Sequence, residues 1–137
     1  MLQLLKERYG TVQTLNAAWG INLASFEDFL LLGQLPPFSK AMEVDGELFL
    51  RQIAERYFSI TSSAIRKYDP NHLVLGCRFA GRAQDPVWET AGMYCDVVSV
   101  NCYRMVDLDR RVVADGFEDA LAEWYSLAEK PLMTPLS

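Results

Sequence analysis

Three polar side chains stand near the ends of two short β-branched runs, and they are the residues best placed to do chemistry together. The run His72–Phe79 (HLVLGCRF) carries Arg78, and the run Asp96–Tyr103 (DVVSVNCY) carries Asn101 and Tyr103. A guanidinium presents a planar fork that can hold a carboxylate or hydroxyl oxygens. An Asn amide donates and accepts at once, which suits sugar hydroxyls, and Tyr offers a hydroxyl on a rigid ring. Each has a structural alternative: Arg78 in an ion pair, Asn101 on a loop backbone, Tyr103 as packing. Glu7, Glu43, Glu89 and Glu129 fall in helical or loop stretches away from the strand ends, so solvated surface roles are expected of them.

Metal and cofactor chemistry find no footing. Cys77, Cys95 and Cys102 are odd in number, with no CxxC spacing and no paired histidines, so a zinc site is not expected. Reduced core thiols are the expected state. A Cys77–Cys102 bridge stays open, because the two residues end candidate neighbouring strands. Gly76 and Gly81 are too sparse for a dinucleotide fingerprint, and no cofactor is expected.

The totals bound the rest. The 137 residues suit one domain, half of them are hydrophobic, and the net charge is −5. That balance, with no basic cluster interleaved with aromatics, argues against a nucleic-acid partner. The longest apolar runs, such as Phe29–Leu32, are too short to span a bilayer. MLQLLKERYG lacks a signal-peptide layout and reads as a helix entered part-way, leaving a cytoplasmic location as the default.

Local signals supply the elements that must position these residues. Thr11 caps a short helix to Trp19, and Gly20 stops it. Ser25–Asp28 has a capping-box pattern that opens a second short helix through Leu32. Pro36 and Pro37 force an irregular loop. The strongest helical pattern covers Glu47–Tyr68, capped by Asp45, with Phe49, Ile53, Tyr57, Ile60 and Ala64 as its core stripe. Asp69-Pro70 ends it. Asp85-Pro86 opens a helix through Tyr94, a charged loop covers Arg104–Ala114, and Asp115–Glu118 starts another helix. Lys130-Pro131 then leads into a third strand, Leu132–Thr134. The expected organisation is a single domain, 1–137, with a helical and loop insertion over 1–45 and β/α units over 46–137.

Strands alternating with helices imply a parallel α/β sheet with right-handed crossovers. Val98, Val100 and Cys102 form an aliphatic face opposed by Ser99, Asn101 and Tyr103. Leu73, Leu75, Cys77 and Phe79 likewise oppose Val74, Gly76 and Arg78. A doubly wound sheet buries apolar residues on both faces, whereas a barrel strand lifts polar residues into the mouth. The fold class expected is α/β, a partial (β/α)8 (TIM) barrel of about three parallel strands preceded by helical segments.

Specific stretches add a resemblance. RYGTVQTLNAAWGINLASFEDF, AIRKYDPNHLVLGCRF, DVVSVNCY and AEKPLMT resemble, in order, the stretch after the fourth strand to the start of the seventh in family 42 β-galactosidases and agarase-like glycoside hydrolases. The resemblance implies a (β/α)8 barrel that hydrolyses β-glycosidic bonds with retention, using two carboxylates about 5 Å apart. The family's acid/base glutamate would precede Met1. Its nucleophile would follow the position of Thr134, where this sequence has Pro135. Tyr103 matches the family's tyrosine after the sixth strand, and Arg78 and Asn101 fall at mouth positions. The implied reading is a glycoside-hydrolase-like segment, inactive alone and without catalytic residues of its own, with an oligosaccharide as ligand. Two alternatives stand beside it: a non-catalytic carbohydrate-binding or self-associating module, forming homo-oligomers through uncovered sheet edges, and an unrelated open-sheet α/β protein.

Overall fold

The computed structural model describes residues 1–34, 37–102, 106–107 and 109–134. It divides into two compact units, Met1–Leu50 and Arg51–Ser137.

In the first unit, α1 (Leu2–Tyr9) and α2 (Val12–Trp19) pack Leu4, Leu5, Leu15 and Trp19 into a core closed by Leu23 and Met42. The caps at α2 are those its sequence announces. The Thr11 hydroxyl accepts from the Thr14 N–H at 3.3 Å, and Gly20 ends the helix in the left-handed region at φ 68°. The box at Ser25–Asp28 forms by halves: the Asp28 carboxylate accepts from the N–H groups of Ala24 and Ser25, both at 3.1 Å. The element it precedes is a 3-10 turn, Glu27–Leu31.

Helix α3 runs Lys40–Tyr68, starting seven residues before the position its periodicity predicts. Ser39 supplies the cap, its hydroxyl accepting from the Met42 N–H at 3.2 Å. Asp45, expected as that cap, lies inside the helix with no exposed surface.

The second unit holds a three-stranded parallel sheet in the order β1 (Arg78–Phe79), β2 (Val98–Val100), β5 (Leu132–Met133). Helix α4 (Asp85–Tyr94) connects β1 to β2, with Gln84 at its N-cap where Asp85 was expected and Pro86 in its first turn, and α5 (Phe117–Ala128) precedes β5. Within the expected charged loop, Val106–Asp107 (β3) pairs antiparallel with Val112–Val113 (β4). The cap of α5 is Gly116 at φ 78°, not Asp115.

The first strand is shorter than its β-branched run because of Gly76. At φ 63° the glycine breaks extended backbone, and a Cβ there would stand 2.6 Å from the Cys95 sulfur. The break also inverts the alternation. Upstream of it Val74 is buried while Leu73 and Leu75 are exposed; downstream, Cys77 and Phe79 pack on the core.

Helices α3, α4 and α5 all pack on one face of this sheet. Phe79, Val98, Val100 and Leu132 meet Ala54 and Phe58 of α3, Trp88 and Ala91 of α4, and Trp124 and Ala128 of α5 in one cluster. Trp88 is fully buried at its centre. Its ring lies 5.3 Å from Phe79 and 5.8 Å from Trp124, and its Nε1–H donates to the Trp124 carbonyl at 2.8 Å. The stripe expected to be core on α3 is not: Ile53, Tyr57 and Ile60 are each about half exposed, and the buried side is Ala54, Phe58 and Ser62.

Candidate functional site

The sheet's other face positions the candidate residues. In a parallel pair, aligned residues point the same way, so the registers Arg78↔Ser99 and Ser99↔Met133 put these three side chains on one face. Asn101, two residues beyond Ser99, projects to that face as well. Strand spacing and rise set the Arg78 and Asn101 Cα atoms about 8 Å apart, within the span of one sugar ring. On this face Arg78 is exposed while Ser99 is buried.

Arg78 is exposed. Asn101 is anchored through its backbone, whose N–H donates to the Phe79 carbonyl at 2.9 Å. Its side-chain Oδ1 is buried without a hydrogen-bond partner among the described residues. A desolvated amide oxygen left unpaired costs about 1–3 kcal/mol. Arg78 adds a fork of N–H donors on the same face. Together they can accept from one hydroxyl and donate to others, which is recognition chemistry with no proton transfer in it. Tyr103 lies outside the described residues.

The four glutamates sit elsewhere. Glu7 and Glu43 are exposed on helices, Glu129 follows α5, and Glu89 pairs with Arg51 at 2.5 Å. An open groove of about 470 Å³, lined by Glu89, Gly92, Met93, Ser126 and Glu129 among others, runs between α4 and α5. It belongs to the helical layer and is separate from the polar sheet face. Among the described residues no cluster of three His, Cys, Asp or Glu side chains could hold a metal, and no helix is long and apolar enough to cross a membrane. Cys77, Cys95 and Cys102 are free thiols, and burial pushes all three up from the ordinary thiol value. Such thiols are poor nucleophiles and poor ligands.

One polar centre had no distinct sequence signal. Asp45, fully buried in the first unit, accepts from Tyr9 Oη at 2.6 Å and from Trp19 Nε1 at 2.8 Å through the same Oδ2. Arg8 Nε faces Oδ1 at 2.7 Å as an ion pair, though without the alignment of a hydrogen bond, so Oδ1 has only that charge for company. Burial, then the bond to Asp45, raise the Tyr9 phenol above its usual value. Two of its three partners act through Oδ2 and the exposed Arg8 neutralises the charge, which makes this a structural network.

No family model matches the sequence. The chain is 37% identical over 133 residues to β-agarase A of Vibrio sp. (strain JT0107), covering 95% of this chain and 13% of that protein. It is 36% identical over 101 residues to β-agarase B of the same organism, covering 72% of this chain and 11% of the relative. The chain is β-agarase-like. Its fold agrees: it superposes on the agarase AgWH50C with a TM-score of 0.81 and 29% identity, and on an exo-β-agarase with 0.81 and 31%. PfGH50B gives 0.78 and 30%. Each match covers 97% of this chain and 17–18% of the solved one. The agarase-like chain thus spans about an eighth of the curated relatives it matches, and the agarase half of the expected resemblance is the half these relatives bear out.

Proposed function

We propose that this chain is a segment of a glycoside hydrolase barrel of the β-agarase type and supplies sugar-contacting residues to it. The parent reaction is hydrolysis of β-glycosidic bonds with retention of configuration. The observation that carries the reading is the likeness to β-agarases over 95–97% of the chain, in sequence and in fold alike. The helix layout supports the barrel: a doubly wound sheet has helices on both faces, whereas α3, α4 and α5 share one face here. The face opposite those helices then becomes the barrel interior, with Arg78 opening the two-residue β1 and Asn101 just past the C-terminal end of β2, the end at which barrel enzymes bind substrate.

Catalysis is a separate matter from contact. Retaining hydrolysis needs two carboxylates flanking the scissile bond. Among the described residues the ends of β1, β2 and β5 carry Phe79, Asn101 and Thr134, none of which moves a proton at neutral pH. This polypeptide by itself binds and orients sugar and does not cleave it. Titrating the ¹⁵N-labelled chain with agarose-derived oligosaccharides tests the reading. Shifts should concentrate at Phe79–Ala80 and Asn101 and be abolished in Asn101→Ala. A spectrum unchanged at millimolar sugar would refute the contact role.

A further inference from the structure

On the helical side of the sheet, the side chains with unused chemistry are the thiols of Cys77 and Cys95. Cys95 is buried in the cluster around Trp88, and Cys77 is half-buried against it. Cys95 closes the last turn of α4, its N–H donating to the Ala91 carbonyl at 2.9 Å. Cys77 stands immediately before β1. Gly76 brings the two together. Its left-handed backbone, φ 63°, turns the chain just ahead of Cys77, and the Cys95 sulfur fills the space a side chain would take there. A Cβ at position 76 would stand 2.6 Å from Cys95 Sγ and 3.7 Å from Cys95 Cβ. That second distance lies within the Cβ–Cβ separation of a disulfide, about 3.5–4.5 Å, and Cys77 is the next residue. Cys95 Sγ is thus no more than about 8 Å from the Cys77 Cα. The sulfurs also sense each other: burial, then the Cys77 charge, push the Cys95 thiol above its ordinary value. Cys102 is no rival. In the register Arg78↔Ser99, Cys77 stands opposite Val98, and about 13 Å of extended chain separates Val98 from Cys102.

We propose that Cys77 and Cys95 form an oxidation site, at which a peroxide closes an intramolecular disulfide that staples the end of α4 to the start of β1. Cys77 is the entry point, being the more exposed of the two. Its thiolate attacks one peroxide oxygen and breaks the O–O bond, so the sulfur becomes a sulfenic acid and hydroxide leaves. The Cys95 thiolate then attacks the Cys77 sulfur and displaces a second hydroxide as the S–S bond forms. The two hydroxides take up the two thiol protons. One hydrogen peroxide and two thiols therefore give one disulfide and two waters, with two electrons passing from the sulfurs to the peroxide. Burial keeps both thiols protonated near neutral pH, so closure is slow and records sustained oxidation. Gly76, with no side chain to obstruct it, can turn the backbone the short way the bridge requires. The closed loop contains the whole of α4, and closing it restricts the unfolded chain, so the bridged form is harder to unfold. None of these steps depends on the barrel or on sugar.

The test treats the whole native chain with excess hydrogen peroxide, then unfolds it in the presence of iodoacetamide to block the thiols that remain. Digestion with trypsin and with a protease that cuts before aspartate separates Cys95 from Cys102 at Asp96. Mass spectrometry should find the Cys77 and Cys95 peptides joined and Cys102 alkylated. The urea midpoint should rise on oxidation and return to its starting value with dithiothreitol. Cys102→Ser should bridge as the parent does, whereas Cys77→Ser and Cys95→Ala should each abolish the joined peptides. The map of the unsubstituted chain decides the matter even where Cys95→Ala fails to fold. Three alkylated cysteines after oxidation, oxygen added to Cys77 without a cross-link, or a Cys77–Cys102 bridge would overturn the proposal. So would a disulfide-linked dimer, or a Cys77–Cys95 bridge that lowers the urea midpoint.

Discussion

Gly92→Ala is the substitution whose sign separates this packing from a generic helical bundle. In a free helix the change favours folding by about 1 kcal/mol, because alanine gives up less backbone entropy than glycine. Gly92 is buried where α4 meets α5, and a Cβ there would stand 2.0 Å from the Ala128 carbonyl oxygen, 2.8 Å from its carbon and 2.9 Å from its Cα. All three are backbone atoms, so no rotamer change relieves the clash. The helices must part by about 1.5 Å to restore van der Waals contact. That displacement stretches the Trp88-to-Trp124 hydrogen bond from 2.8 Å out of bonding range. Overpacking costs about 1–3 kcal/mol, and the buried indole N–H left unpaired costs about 1–3 more. Less the helical gain, the net loss is about 1–5 kcal/mol, on the order of 3–20 °C in Tm for a domain of this size. Urea unfolding followed by tryptophan fluorescence and by circular dichroism measures it. A Gly92→Ala chain as stable as the parent, or more so, would refute the close approach of α4 and α5.

Three further outcomes follow from the same reasoning. Asp45→Ala strands the Tyr9 hydroxyl and the Trp19 indole and removes the Arg8 counter-charge, so the first unit should lose about 3 kcal/mol or more, read as loss of protection at Leu4–Leu15 in amide exchange. Glu129 caps α5 at φ 52°, a conformation that costs a side chain. Glu129→Gly should therefore raise stability by about 0.5–1 kcal/mol in urea unfolding, and a loss would show that its side chain, not its backbone, matters there. The Val74 N–H, then Arg66, hold the Asp96 carboxyl below the ordinary carboxylate range. Its contribution is present above about pH 4 and lost as pH falls through the lowered folded value, so Asp96→Asn should flatten the acid limb of a stability-against-pH curve below about pH 4.

Legibility varied with how local the cause was. Thr11 and Gly20 act on their own helix ends, and α2 appears where they put it; α4 starts at Asp85-Pro86, though its cap is Gln84. The valines of β2 sit on the helical face against Ser99 and Asn101, as simple alternation requires. Alternation failed upstream of β1 because Gly76 takes a left-handed conformation, and nothing in HLVLGCRF distinguishes that glycine from one in a regular strand. Asp45 has the composition of a cap, and only its long-range partners Tyr9 and Trp19 reveal it as a buried acceptor. Ile53, Tyr57 and Ile60 have helical spacing on a face the chain itself leaves uncovered; periodicity reports that a stripe is apolar, not what lies over it. For the site, the residue types at Arg78 and Asn101 were readable from the strand pattern. The unpaired Asn101 Oδ1 was not, because burial of one atom depends on the packing around it.

The most direct test is a chimera in which residues 1–134 of this chain replace the matched stretch of Vibrio β-agarase A, the relative's own sequence following from there on. The account predicts a folded enzyme that hydrolyses agarose, whose kcat/KM falls by about tenfold or more when Asn101 is changed to Ala, the loss expected when a buried partner for a sugar hydroxyl is removed. A chimera that folds to the compactness of the parent enzyme yet cleaves nothing, or one indifferent to Asn101→Ala and Arg78→Ala together, would contradict it.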